Sequence, residues 1–147
     1  MPNNRRIHVS IKRDPALEAT RVSLGKQKLV YVLVADKRLK YPRDKSRIAY
    51  IGTTKRGLRR VASSVARRAD DILALPGVRS FVARLVTCQP RQRVKTWRVL
   101  ERALLLQFRD MYGAQPKCNL HGKRLKVRDE FEYFRPRRLR AVLQELS

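Results

Sequence analysis

The sequence predicts an α/β domain: a small three-stranded antiparallel sheet flanked by helices, with a basic N-terminal extension and a C-terminal helix. Three observations carry this. Two short runs rich in β-branched residues, Leu29–Ala35 (LVYVLVA) and Ile48–Thr53 (IAYIGT), lie one connection apart, as the arms of an antiparallel hairpin would. The apolar period then changes from 2 to 3.6 over Arg56–Leu73. After an alternating stretch, Val78–Cys88, the helical period returns from Val94 to Tyr112. The 147 residues are the length of one domain, enough to bury a core.

Each element has a local reason. Ile7-His8-Val9-Ser10-Ile11 alternates apolar and polar, which predicts a short strand with His8 and Ser10 toward water. The charged segment DKRLKYPRDKSR, residues 36–47, contains Pro42 and predicts a solvated loop, giving the hairpin a long basic tip. In the first helix Leu58, Val61, Ala62, Val65, Ala69, Ile72 and Leu73 form one stripe, and Pro76-Gly77 follow its end. Phe81, Ala83 and Leu85 share a face of the third strand. Trp97, Leu100, Leu104, Phe108 and Met111 form the stripe of the second helix, with Gly113 as its stop. Residues from Pro116 to Phe134 read as loop, and Pro136 opens a last helix with Leu139, Val142, Leu143 and Leu146 inward. The expected organisation is a basic extension, 1–28, a central domain, 29–120, and a basic loop with terminal helix, 121–147.

Charge narrows the function. Lys and Arg number 36 against 12 Asp and Glu, a formal +24. That much like charge in one domain repels itself unless a polyanion neutralises it. Nucleic acid, above all DNA, is the expected partner, because phosphate contacts release condensed counterions. A membrane partner is not expected: the basic residues are spread along the chain rather than along one amphipathic helix, and no run approaches the roughly 18 apolar residues of a span. Two cysteines and a start without an apolar signal region suggest a reduced, intracellular setting.

Most acids read as solvated. Asp129, Glu130 and Glu132 cluster in a segment without strand character, and Asp70-Asp71 point apart on a helix. Cys118 and His121 lack the further partners a zinc site needs. No phosphate loop of the nucleotide-hydrolase type is present. Glu101 stands out, inside the second helix beside its apolar stripe. A carboxylate there needs a partner, either a neighbouring base such as Arg98 or a hard cation.

Tyr31 and Tyr50 fall on neighbouring strands. Together with Ile51-Gly52, Arg60, Glu101 and Pro116-x-x-Asn119, in that order and on those elements, they make Leu29 to Asn119 resemble the GIY-YIG endonuclease family. The resemblance implies Tyr31 as the tyrosine that helps activate the attacking water and Tyr50 as the tyrosine of the second motif. It implies Arg60 on the scissile phosphate, Glu101 as the single ligand of Mg²⁺ or Mn²⁺, and Asn119 as the residue that steadies the site. The first triplet, Leu29-Val30-Tyr31, keeps only the family tyrosine, Ser64 stands where the family often has tyrosine or histidine, and the 18 residues between Tyr31 and Tyr50 exceed the usual spacing. The expected activity is metal-dependent hydrolysis of DNA phosphodiesters. Lys40, Arg43, Lys45, Lys55, Arg56, Lys123 and Arg124 are expected along the nucleic-acid backbone. The other readings are a non-catalytic binding module, ribosome- or nucleoid-associated, and an inactive relative acting as an interaction subunit.

Overall fold

Strand β1, Leu29–Lys40, is the centre of everything that follows. Strand β2, Lys45–Thr54, and strand β3, Phe81–Val86, pair with it on either side, both antiparallel, in the order β2-β1-β3. The computed structural model describes residues 6–16, 18, 27–119 and 131–147. Helices α1, Leu58–Leu73, α2, Thr96–Tyr112, and α3, Pro136–Leu146, complete the α/β fold.

The central strand is apolar at every position from Leu29 to Leu33 because both of its faces are covered. Leu29, Tyr31, Leu33 and Ala35 face a core with Val61 and Ile72 of α1. Val30 and Val32 face a second core with Leu100, Ala103, Leu104 and Phe108 of α2 and Leu139 and Leu143 of α3. The period-2 geometry of a strand thus assigns alternate residues to two different helical layers. Leu33 pairs with Tyr50 but Val34 pairs with Ile48, so Ala49 is the extra residue of a β-bulge.

The structure corrects the segment 36–47. It is not a solvated loop: β1 runs on to Lys40 and β2 starts at Lys45, leaving a short turn whose Tyr41 N–H donates to the Asp44 carbonyl at 3.0 Å. The turn is pinned to the end of α2. The Arg43 N–H donates to the Tyr112 carbonyl at 3.1 Å, and the Arg43 guanidinium donates to the Asp110 carbonyl, satisfying acceptors that a helix end leaves open. Gly113, at φ 82°, ends α2 as expected, and its bare Cα admits the turn: a Cβ there would sit 3.0 Å from Cβ of Pro42.

A second correction concerns Ile7–Ile11. No strand forms, and Ile7, Val9 and Ile11 are 89%, 87% and 94% exposed, because alternation alone supplies no neighbour to complete a ladder. Among the described residues no helix is long and apolar enough to cross a membrane.

Candidate active site

The register of the sheet builds the site. Tyr31 of β1 lies opposite Gly52 of β2, and Tyr50, two residues before Gly52, shares that face. The glycine has no side chain, so the two tyrosine rings occupy the space above it, with centroids 5.9 Å apart and planes tilted by 38°. A Cβ on Gly52 would stand 2.6 Å from Cε1 of Tyr50 and 2.8 Å from both Cζ and Oη of Tyr31. The tyrosine pair therefore depends on this glycine.

Helix α1 closes over the pair. The Tyr31 hydroxyl shares a 2.6 Å hydrogen bond with the Ser64 hydroxyl. One turn further on, the Arg68 guanidinium lies 3.8 Å from the Tyr50 ring centroid. Its Nη1 donates to the Cys118 carbonyl at 3.4 Å, while its Nε is buried with no hydrogen-bond partner. A buried donor without an acceptor costs roughly 1–3 kcal/mol, and a cation over an aromatic face returns about 0.5–2 kcal/mol.

Asn119 acts on the strand rather than on the rings. Its Oδ1 accepts the Ile51 N–H at 3.1 Å and its Nδ2 donates to the Ile51 carbonyl at 2.9 Å. One side-chain amide thus satisfies both backbone groups of the residue between Tyr50 and Gly52. The Cys118 N–H adds a bond to the carbonyl of the bulged Ala49 at 2.9 Å. The exposed edge of β2 is covered by the 116–119 turn instead of by another strand.

The environment of Tyr50 makes its phenol harder to ionise. Burial, and then the nearby Tyr31, push its phenol up from 10.0 to about 12, with Arg68 pulling the other way. At neutral pH Tyr50 is a protonated phenol and a hydrogen-bond donor. The Cys118 thiol is also pushed up, first by burial and then by Asp71, which leaves it a poor nucleophile.

The remaining expected residues are placed as follows. Arg60 lies in the first turn of α1, exposed, four residues before Ser64 and so on the same side of the helix. Glu101 is 3% exposed on α2, the helix that covers the other face of the sheet from the tyrosine pair. Lys55 and Arg56 are exposed just past β2, and Lys40 and Lys45 are exposed as a cross-strand pair beside the turn. Lys123 and Arg124 lie outside the described residues.

The positive charge at Tyr50 comes from Arg68, a residue the sequence reading did not single out. The signal was present, since Arg60, Ser64 and Arg68 follow at steps of four along one helix face. Tyr41 was missed as well. Its hydroxyl donates to the Ile48 carbonyl at 2.6 Å and accepts the Lys117 N–H at 3.1 Å, tying the hairpin to the same turn that carries Asn119.

Among the described residues no three His, Cys, Asp or Glu side chains come together as a metal cluster. Glu101 is the one carboxylate buried among them, and its oxygen donors suit a hard cation, which can take one protein carboxylate with waters and substrate phosphate as the other ligands. No protein-family model matches the chain, and neither does any curated protein or solved structure.

Proposed function

We propose that the chain is a nucleic-acid phosphodiesterase with a GIY-YIG-type site, cutting DNA in the presence of Mg²⁺ or Mn²⁺. The observation that carries this reading is the tyrosine pair over Gly52, held from α1 by Ser64 and from the 116–119 turn by Asn119. Packing alone does not require two tyrosine rings to converge over a glycine with the Tyr31 hydroxyl above it. In this reading Tyr31 orients the attacking water, Tyr50 donates a hydrogen bond toward the phosphate, and the exposed Arg60 clamps a phosphate oxygen and the charge that builds on it. Glu101 would hold the cation, which supplies Lewis-acid stabilisation of the phosphoryl oxygens. Lys40, Lys45, Lys55 and Arg56, all exposed, would contact the backbone without reading bases. Such a protein works where DNA is, inside a cell.

The experiment is incubation of the purified protein with supercoiled plasmid and with branched DNA, with Mg²⁺, Mn²⁺ or chelator. The wild type should cut only with metal. Tyr31→Phe should lower the rate by about 10²-fold or more. Glu101→Gln should abolish cleavage while DNA affinity stays within about twofold, since one carboxylate hardly alters the phosphate term. Tyr31→Phe also leaves Ser64 without its partner, at about 1 kcal/mol of stability.

A binding module is the second reading, favoured by one specific observation: Glu101 belongs to the helix on the other face of the sheet from the tyrosines. Failure of the wild type to cut any DNA form, with retained binding, would decide for it.

A further inference from the structure

We propose that Arg68 is a positioning residue of the tyrosine pair, holding the Tyr50 phenol beside Tyr31 and bracing the turn that carries Asn119. The proposal rests on the nuclease reading above. Three elements meet at this side chain. It leaves α1 one turn after Ser64, so a single helix face grips both rings, Tyr31 through the 2.6 Å hydroxyl bond and Tyr50 through the guanidinium at 3.8 Å. Its Nη1 reaches the carbonyl of Cys118, whose own N–H donates to Ala49, and the next residue, Asn119, clamps Ile51. Ala49 and Ile51 flank Tyr50. The chain of contacts therefore runs from α1 through the turn into the strand that presents Tyr50, and returns to α1 across the ring.

The chemistry selects arginine. A planar cation can lie flat on a ring and donate at its edge at the same time, whereas a lysine ammonium is a point charge that can do only one of these well. The buried Nε without an acceptor fits a side chain placed by stacking rather than by complete hydrogen bonding. That Nε is closed to solvent, so Arg68 meets the phenol from inside the fold, while the exposed Arg60 is the arginine open to a phosphate.

The groups that act on the Tyr50 hydroxyl are Tyr31 from β1 and Arg68 from α1; on the turn, Cys118 accepts from Arg68 through its carbonyl. Burial and Tyr31 disfavour the phenolate and Arg68 favours it. Removing the cation should therefore make Tyr50 harder to ionise, a readout that packing alone would not move.

The test compares Arg68→Met, which keeps bulk over the ring without charge, with Arg68→Lys, which keeps the charge without the plane. Protein labelled with 3-fluorotyrosine, whose phenol ionises at lower pH, is titrated by ¹⁹F NMR, with Tyr50 assigned through Tyr50→Phe. Arg68→Met should move the Tyr50 midpoint up by about one pH unit, in the range an adjacent opposite charge produces, and Arg68→Lys should restore part of it. The other tyrosine resonances serve as the folding control. On plasmid DNA Arg68→Met should lower kcat by about tenfold to a hundredfold, with DNA affinity within about twofold. An unchanged Tyr50 midpoint in Arg68→Met, or wild-type kcat in a cutting enzyme, overturns the proposal. If the wild type cuts nothing, the nuclease reading falls, and the NMR titration still decides whether Arg68 governs Tyr50.

Discussion

Replacing Gly52 with alanine tests the site where the structure commits itself most. Among the described residues the glycines at positive φ are Gly57, Gly77 and Gly113, so Gly52 has a backbone that alanine can adopt. If nothing stood above it, Gly52→Ala would stabilise the protein by about 0.4–1 kcal/mol, because alanine has less freedom to lose from the unfolded chain. The geometry requires the opposite sign. The new methyl would meet the Tyr50 ring at 2.6 Å and the Tyr31 ring at 2.8 Å. Tyr31 is 2% exposed and its hydroxyl is bound to Ser64, so it cannot swing away freely. Overpacking of this kind costs about 1–3 kcal/mol. Loss of the Tyr31–Ser64 bond adds about 1 kcal/mol. Set against the gain from the unfolded chain, the net loss is about 1–3.5 kcal/mol. Equilibrium unfolding in urea should show a lower midpoint with an unchanged slope. In a Tyr50→Ala background the penalty should shrink, with a coupling of about 1 kcal/mol, because one of the two rings is gone. A neutral or stabilising Gly52→Ala would refute the placement of the tyrosine pair, and with it the basis of the proposed chemistry.

Three further outcomes follow from the same structure. Tyr41 and Tyr50 both have their phenols pushed up to about 12, Tyr41 chiefly by burial, so the folded chain holds these protons more tightly than the unfolded one. Their contribution is complete below the ordinary value of 10.0 and is lost as pH rises toward 12. Discounted for partial exposure it is about 1–2 kcal/mol each. Tyr41→Phe and Tyr50→Phe should each flatten the alkaline fall in urea midpoint between those pH values, and an unchanged alkaline slope would remove the effect. At the hairpin, replacing the exposed Lys40 and Lys45 with alanine should flatten the slope of log DNA affinity against log salt by about two units if both contact phosphates. Arg43→Ala should instead cost about 1 kcal/mol of stability, because its guanidinium serves a carbonyl at the end of α2. A salt slope unchanged by the two lysine substitutions would move the DNA path elsewhere.

The order of strands and helices was legible because burial imposes its period on the sequence. Leu29–Leu33 lies between two helical layers, and the stripe of α2 matches the face it buries. Of the stripe expected on α1, Val61 and Ile72 are buried while Leu58, Ala62 and Leu73 are exposed, because the helix meets the sheet along a narrower line than its apolar residues cover. The outer hairpin was not legible for the same reason. Between Asp36 and Arg47 only Leu39, Ser46 and, in part, Tyr41 are covered, so the strands there carry charged residues on exposed positions and lose the alternation that marks a strand. What extends them is not propensity but attachment at the far end, through Tyr41 to Ile48 and Lys117 and through Arg43 to α2. Ile7–Ile11 is the converse case, a well-patterned segment without a neighbour.

The candidate site divides along a similar line. Tyr31, Tyr50, Gly52 and Asn119 were singled out by the resemblance to the GIY-YIG family, and strand register and the 116–119 turn bring them together. Arg60 drew attention by its distance from Tyr50, yet an exposed guanidinium is screened by water and exerts little pull on a phenol beneath the helix. Arg68 is half-buried, at van der Waals distance from the Tyr50 ring, where the effective dielectric is lower and the same unit charge acts more strongly. In a chain with 36 basic residues the four-residue steps from Arg60 through Ser64 to Arg68 are only a faint mark, since the distinction is made by the depth at which α1 packs on the sheet. The two arginines, eight residues apart, thus differ in place: the sequence reading assigned Arg60 to a phosphate and gave Arg68 no role. Arg60 is exposed in the first turn of α1, and Arg68 packs on a phenol that stays protonated, so in the proposed reading Tyr50 takes part as a hydrogen-bond donor.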